Sequence, residues 1–185
     1  MTEISEEMIF ECFAAARQGD NLDATAESFV DVEEYENRIM YPEFARWARQ
    51  AGYPALAKLF LKVAGEEKLH AVWLRKLYEK MGVPARGEDT QRAIDALATI
   101  RENCDRLIEM NPNGVVEKAL RVAMRVEERE FAEIYPHFRD QARAAGHAEE
   151  EAVYQKVIDS ERQHYGWFRD ALQTYFPQAA TTATA

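Results

Sequence analysis

The sequence predicts an all-α protein, in which two repeated helical hairpins joined by a helical crossover form a four-helix bundle, preceded by a short helix. Strong helix formers (Ala, Glu, Arg, Leu and Lys) dominate the chain, and alternating β-branched runs are absent from it. Residues 32–75 also correspond to residues 126–169 without a gap, which indicates an internal repeat. At 185 residues and 47% hydrophobic composition, the chain is expected to form one domain with a substantial core.

A predicted short helix precedes the first repeat half, which forms the first hairpin. Ser5 is a suitable N-cap for the short helix, which is expected to end at Gly19. Asp23 is the predicted N-cap of the first long helix, and residues 51–52 (Ala-Gly) turn the chain. Pro54 suits the first turn of the second long helix.

Glycines and helix-forming runs also mark the crossover and the second hairpin. Gly82 ends the second long helix, Thr90–Met110 is predicted as the crossover helix, and residues 145–146 turn the second hairpin. The predicted boundaries are about 23–81 and 115–176 for the repeat halves, 82–114 for the crossover, 1–177 for the single domain and 178–185 for a disordered tail.

Pro42 and Pro136 lie inside predicted long helices. An interior proline removes a backbone hydrogen bond and clashes with the preceding turn. Because both prolines occupy the same position of the repeat, the sequence favours a kink in each helix over a break.

Eight potential metal ligands recur in the repeat. Each half has Glu-x-x-Glu on its first helix and Glu-x-x-His on its second, and positions three apart share one helix face. Within each hairpin the two motifs are equidistant from the turn, so antiparallel helices bring them to one level. A solvated helix face is the ordinary interpretation of any one glutamate, but eight matched positions favour a shared site. The candidate ligands are Glu33, Glu36, Glu67, His70, Glu127, Glu130, Glu161 and His164.

Six carboxylates inside a bundle need compensating positive charge, because burying unpaired charge is costly. Oxygen-rich ligation with two imidazoles favours iron or manganese over tetrahedral zinc. From the residues alone, the expected cofactor is iron, manganese or a mixed pair of the two.

Composition excludes several other classes. The net charge of −10 argues against nucleic acid and anionic membranes as partners. The N-terminus lacks the features of a signal peptide, and no apolar stretch is long enough to span a membrane, so a cytoplasmic protein is expected. Cys12 and Cys104 are far apart in sequence and form no Cys-x-x-Cys motif, and both are interpreted as small helix residues.

A glutamate from each of two helices plus Glu-x-x-His from each of the other two is typical of ferritin-like di-iron carboxylate bundles. On these motifs, and on the segment 127–136 followed by Glu161-x-x-His164, the chain resembles the rubrerythrin family over roughly residues 23–176. Glu36 adds a first-half counterpart of Glu130, as in the symmetric symerythrin subgroup. The four cysteines of a rubredoxin domain are missing from this sequence.

The resemblance implies a di-iron oxidoreductase that reduces hydrogen peroxide, or dioxygen, with electrons from a separate donor such as a rubredoxin or a reductase. It also implies ligand exchange between Glu130 and His70 as an iron changes oxidation state, with Glu36 and His164 as the symmetric pair. A homodimer is one possible assembly for such a protein. The alternative function is ferritin-like iron storage or detoxification, which needs a large closed shell.

Aromatic residues near the motifs have two interpretations each. Tyr41 and Tyr135 either donate hydrogen bonds near the carboxylates and relay electrons, or are buried core aromatics. Trp73 and Trp167, three residues after the histidines, are either packing residues or redox groups, and packing is the favoured interpretation. Whether Val126 or Phe13 is oxidatively modified near such a centre is left open by the sequence.

Overall fold

The computed structural model describes residues 3–13, 29–83 and 88–180, and throughout these ranges the regular structure is helical. The chain divides into two compact units, Met1–Ala119 and Leu120–Ala185; a single domain over 1–177 stays a prediction. The elements are α1 (Glu6–Cys12), α2 (Phe29–Tyr35), π1 (Glu36–Met40), α3 (Tyr41–Gln50), α4 (Pro54–Met81), α5 (Glu88–Asp95), α6 (Leu97–Met110), α7 (Pro112–Arg129), π2 (Glu130–Ile134), α8 (Tyr135–Ala145), α9 (Ala148–Tyr175) and α10 (Pro177–Ala180).

Each unit contains one helical hairpin. In the first unit α3 packs against α4, and in the second α8 packs against α9. The turns lie where the sequence predicts them: Gly52 has φ +86° and Gly146 has φ +77°, a left-handed conformation that glycine adopts without steric cost. Ser5 caps α1 by accepting a hydrogen bond from the Met8 N–H at 3.2 Å.

A π-helical turn precedes each of the two prolines, where the sequence favoured a kink in an α-helix. π1 and π2 each span five residues and precede Pro42 and Pro136, which stand in the first turn of the next α-helix. The Tyr41 N–H bonds to the Glu36 carbonyl five residues back, so the helix widens where proline has no N–H to give and would clash. The helices therefore continue through the prolines, as predicted, but the π turns were not foreseen.

The crossover is two helices, α5 and α6, with Ala96 between them, where the sequence predicts one. Asp31 holds the start of α5 to α2: its carboxylate accepts a hydrogen bond from the Thr90 N–H at 2.9 Å and another from the Thr90 hydroxyl. Asn111 is the single non-helical residue before α7, and its side chain accepts from the Gly114 N–H at 2.9 Å. This cap lets α7 begin at Pro112, three residues earlier than predicted.

Gly19 and Asp23, the predicted helix ends near the N-terminus, lie outside the described residues. Pro177–Ala180 form a short helix at the start of the predicted disordered tail, because proline suits a first helical turn and alanine favours helix. Among the described helices, none is both long and apolar enough to cross a bilayer.

Two glycines of the first unit give a matched stability test. Gly65→Ala is expected to stabilise the protein by about 0.5–1 kcal/mol, because alanine favours the interior of α4 and no neighbour obstructs its methyl group. Gly52→Ala is expected to destabilise it by about 1 kcal/mol, because the left-handed backbone there disfavours a side chain. Denaturant unfolding measures both, and equal signs would contradict the helix boundaries.

Candidate metal centre

The first unit brings Glu33, Glu67 and His70 together. Glu33 lies on α2, the other two lie on α4, and all three side chains are completely buried. The His70 Nδ1 atom lies 3.2 Å from the Glu33 Oε2 atom and 2.7 Å from the Glu67 Oε2 atom. One ligand atom from each of the three residues lies within 4.8 Å of the other two, a spacing that a shared cation would bridge. We call this set the first cluster.

The second unit repeats the arrangement with Glu127 on α7 and Glu161 and His164 on α9. These three side chains are also completely buried. The His164 Nδ1 atom lies 3.2 Å from the Glu127 Oε2 atom and 2.9 Å from the Glu161 Oε2 atom. The three ligand atoms again lie within 4.8 Å of one another. This second cluster reproduces the first at equivalent positions of the repeat.

Glu36 and Glu130, the remaining carboxylates of the predicted set, are the first residues of π1 and π2. Their side chains are 3% and 2% exposed, so they are buried like the clusters. A π turn changes the direction in which the residues after it point, and such turns occur frequently at functional sites. The same turn at the same repeat position in both halves shows that it is a property of the repeat.

The aromatic neighbours of the histidines are tryptophans. The Trp73 ring lies 5.3 Å from the His70 ring, and the Trp167 ring lies 5.5 Å from the His164 ring, centroid to centroid. Each tryptophan therefore contacts one imidazole and restricts its rotation. Packing, the interpretation predicted from sequence, describes their observed contacts.

Ser160 is a site neighbour that the sequence analysis missed. Its hydroxyl lies 3.4 Å from the His164 Nε2 atom, on the side of the ring away from the carboxylates. A proton on Nε2 would bond to this hydroxyl and leave the Nδ1 lone pair directed at the cluster, as partners of metal-binding histidines commonly arrange. The position of Ser160, four residues before His164, was a usable signal in the sequence. The repeat gave no such signal, because Glu66 stands at the equivalent position in the first half.

Tyr41 and Tyr135 are both completely buried. Tyr41 packs against Phe44 and Phe60, with ring centroids 6.2 and 6.3 Å away, and Tyr135 packs against Tyr154 at 6.4 Å. These contacts make them core aromatics, and a role for their hydroxyls stays a prediction.

Phe13 and Val126, considered for oxidative modification, lie in different units. Phe13 joins an aromatic group in the first unit, with ring centroids 5.9 Å from Phe44 and 5.8 Å from Trp47. Val126 is half-buried and directly precedes Glu127. Modification of either residue stays a prediction.

The first unit also contains a buried group of ion pairs around Glu43, which was not predicted from the sequence. Glu43, 2% exposed, accepts hydrogen bonds from Arg46 Nε at 2.7 Å and Arg101 Nε at 2.8 Å. Burial lowers the pKa of Arg46, but hydrogen bonds to Asp105 and Glu43 outweigh that effect and raise it. This group ties α3 to the crossover. Nothing in the repeat predicts it, because His137 and Asp140 occupy the positions equivalent to Glu43 and Arg46.

The donor set suits a pair of iron ions. Each cluster offers carboxylate oxygens and one imidazole nitrogen, and the π-turn glutamate of the same half adds further carboxylate oxygens. Oxygen-rich donors with imidazole are the ligands that iron and manganese prefer, and the burial of so many acidic groups is reconciled by bound cations. The chemistry of the residues present therefore agrees with a di-metal carboxylate centre.

Comparison with known proteins gives the class and then the family. The solved structure of symerythrin from Cyanophora paradoxa, reduced with dithionite, matches with a TM-score of 0.73 and 32% identity over 94% of this chain and 95% of that one. The protein is thus an all-α, ferritin-like helical bundle, as the sequence predicts. The rubrerythrin family model matches residues 31–172, and the chain belongs to the rubrerythrin family, whose members are di-iron proteins.

Two curated relatives agree with this assignment. The chain is 35% identical to symerythrin of Cyanophora paradoxa over 87% of this chain and 88% of the relative. It is 28% identical to rubrerythrin of Clostridium perfringens over 78% of this chain and 67% of the relative. The resemblance stated from the motifs is therefore confirmed.

Proposed function

We propose that the protein is a di-iron oxidoreductase that reduces hydrogen peroxide to water with electrons from a separate donor. The observation that supports this most directly is the duplication of a buried Glu, Glu and His cluster at equivalent repeat positions. Homologues in the family are in general oxidoreductases. The proposed ligands of the two iron ions are the two clusters together with Glu36 and Glu130.

The chain's own residues would hold and shield the centre. The Nδ1 atoms of His70 and His164 face their carboxylate neighbours, so the imidazoles would bind through Nδ1. Trp73 and Trp167 keep the rings oriented. Complete burial of the clusters excludes bulk water, which limits side reactions. When bound, an iron pair supplies two electrons, one per ion, which matches the two-electron reduction of peroxide to water.

After each reaction with peroxide, the iron pair must be reduced again by electrons from outside the site. Within these 185 residues there are two cysteines, too few for a rubredoxin-type iron site with its four cysteines. We therefore include a separate donor in the proposal, either a rubredoxin or a reductase.

The test is to mix anaerobically reduced, iron-loaded protein with hydrogen peroxide and, separately, with air-saturated buffer. Stopped-flow absorbance is expected to show rapid oxidation by one peroxide per iron pair and much slower oxidation by air. Equal rates would favour dioxygen as the oxidant, and failure of peroxide to oxidise the centre would contradict the proposed reaction.

Iron storage is distinguished by the same preparation. A native particle of hundreds of kilodaltons that accumulates iron far beyond two ions per chain would replace the peroxidase proposal. Size-exclusion chromatography with light scattering, combined with iron analysis, gives both quantities.

A further inference from the structure

The two cysteines, far apart in sequence, meet in the first unit. Cys12 is the last residue of α1 and Cys104 lies on α6. Both are free, buried thiols, 3% and 1% exposed, on two helices that contact each other, and each thiol affects the pKa of the other. The sequence interpretation of two unrelated helix residues misses this contact.

The contact is formed where α1 packs against α6. Ile9 on α1 and Ile100 and Ile108 on α6 are buried near these positions, each three or four residues from a cysteine. Positions three or four apart share a helix face, so the apolar contact between the helices carries the two thiols on its facing sides. The pairing is thus built by the packing of two helices rather than by a loop.

The thiols differ in their surroundings. The hydrogen bond from Cys104 lowers the pKa of Cys12, although burial and the nearby Glu11 raise it. The same hydrogen bond raises the pKa of Cys104, as do burial and Glu43, while Arg46 lowers it. The two thiols are therefore coupled, and ionisation of one is stabilised by the thiol of the other.

We propose that Cys12 and Cys104 form a peroxide-responsive dithiol–disulfide pair, a second redox site separate from the metal ligands. One hydrogen peroxide oxidises the pair: its O–O bond breaks, one Sγ becomes a sulfenic acid with release of water, and the other Sγ then displaces the second water to close the disulfide. Two thiols give up two electrons and two protons, and one disulfide and two waters result.

Access to the pair comes from α1. This helix has seven residues, and so short a helix depends on its packing for stability. Local opening of such a peripheral element costs less than global unfolding and exposes the thiols to a small oxidant. The disulfide then ties the N-terminal helix to the crossover.

The test treats the metal-free full chain with one equivalent of hydrogen peroxide and the iron-loaded full chain with two equivalents, because the iron pair consumes one, and then alkylates under denaturing conditions. We expect loss of both alkylatable thiols, an intact-mass decrease of about 2 Da for two hydrogens, and a Cys12–Cys104 crosslinked peptide that dithiothreitol reverses. Cys12→Ser and Cys104→Ser serve as matched controls and are expected to form no intramolecular crosslink.

The pair is overturned if both thiols still alkylate after treatment, if single cysteines gain oxygen without a crosslink, or if crosslinks join separate chains. Reaction of the metal-free chain separates this proposal from the di-iron proposal, because the disulfide is expected there too. The oxidised wild type should also unfold several degrees higher than the reduced form, and Cys12→Ser should show no such shift.

Discussion

The double variant Glu67→Gln/Glu161→Gln is expected to lose essentially all tightly held iron. Glutamine keeps the size of each side chain but removes one negative charge from each cluster, at the glutamate whose oxygen lies within 3 Å of the histidine Nδ1 atom. Cation binding depends on those charges, because a neutral amide compensates little for the dehydration of an iron ion. Iron retained after loading, chelator challenge and desalting is measured by elemental analysis.

The matched control is Glu66→Gln/Asp159→Asn, which removes the same number of charges from the same two helices, α4 and α9. Glu66 pairs with Lys62 at 4.0 Å and Asp159 accepts from Gln155, both near the surface. This control is expected to keep the wild-type iron content. Iron retention in the cluster variant, with circular dichroism showing it folded, would remove these residues from the site.

Iron loading is expected to raise the thermal midpoint by roughly 10 °C, because a ligand at about a thousand times its dissociation constant stabilises the native state by about 4 kcal/mol.

The effect of Glu127→Gln on the thermal midpoint should depend on whether iron is bound. Without iron, the variant should be at least as stable as the wild type, because one charge fewer is buried in the second cluster. With iron, it should gain less than half of the wild-type increment.

Glu128→Gln is the control for this experiment, since Glu128 is the adjacent residue on α7 and is exposed. It should follow the wild type with and without iron, because surface charges contribute little. Differential scanning calorimetry under anaerobic conditions measures all six midpoints, for the three proteins with and without iron. Equal iron increments in wild type and Glu127→Gln would show that Glu127 does not interact with the metal.

The fold class was predictable because helix-forming composition extends along the chain and an ungapped repeat covers both hairpins. The turns at Gly52 and Gly146 followed from the same repeat, since glycine marks the end of each first hairpin helix. Within each half, the Glu and Glu-x-x-His residues that spacing predicts to meet do meet in a buried cluster. Local periodicity was a sufficient signal for these features.

Features that depend on contacts distant in sequence were not predictable. The π turns at Glu36 and Glu130 need a hydrogen-bond register that composition does not encode, although the proline six residues later in each half pointed to an irregularity. The Cys12–Cys104 contact and the buried Glu43 ion pairs depend on how α1 and the crossover pack on the first hairpin. The repeat carries no information about them, because its second half has no equivalent neighbours.

The central claim is that two equivalent ligand clusters hold a discrete di-iron centre. Its most direct test is an anaerobic titration of the metal-free protein with ferrous iron, followed by desalting and determination of iron and protein by elemental and amino-acid analysis. The account predicts saturation at two irons per chain. A plateau near zero, or continued uptake far beyond two, would contradict it.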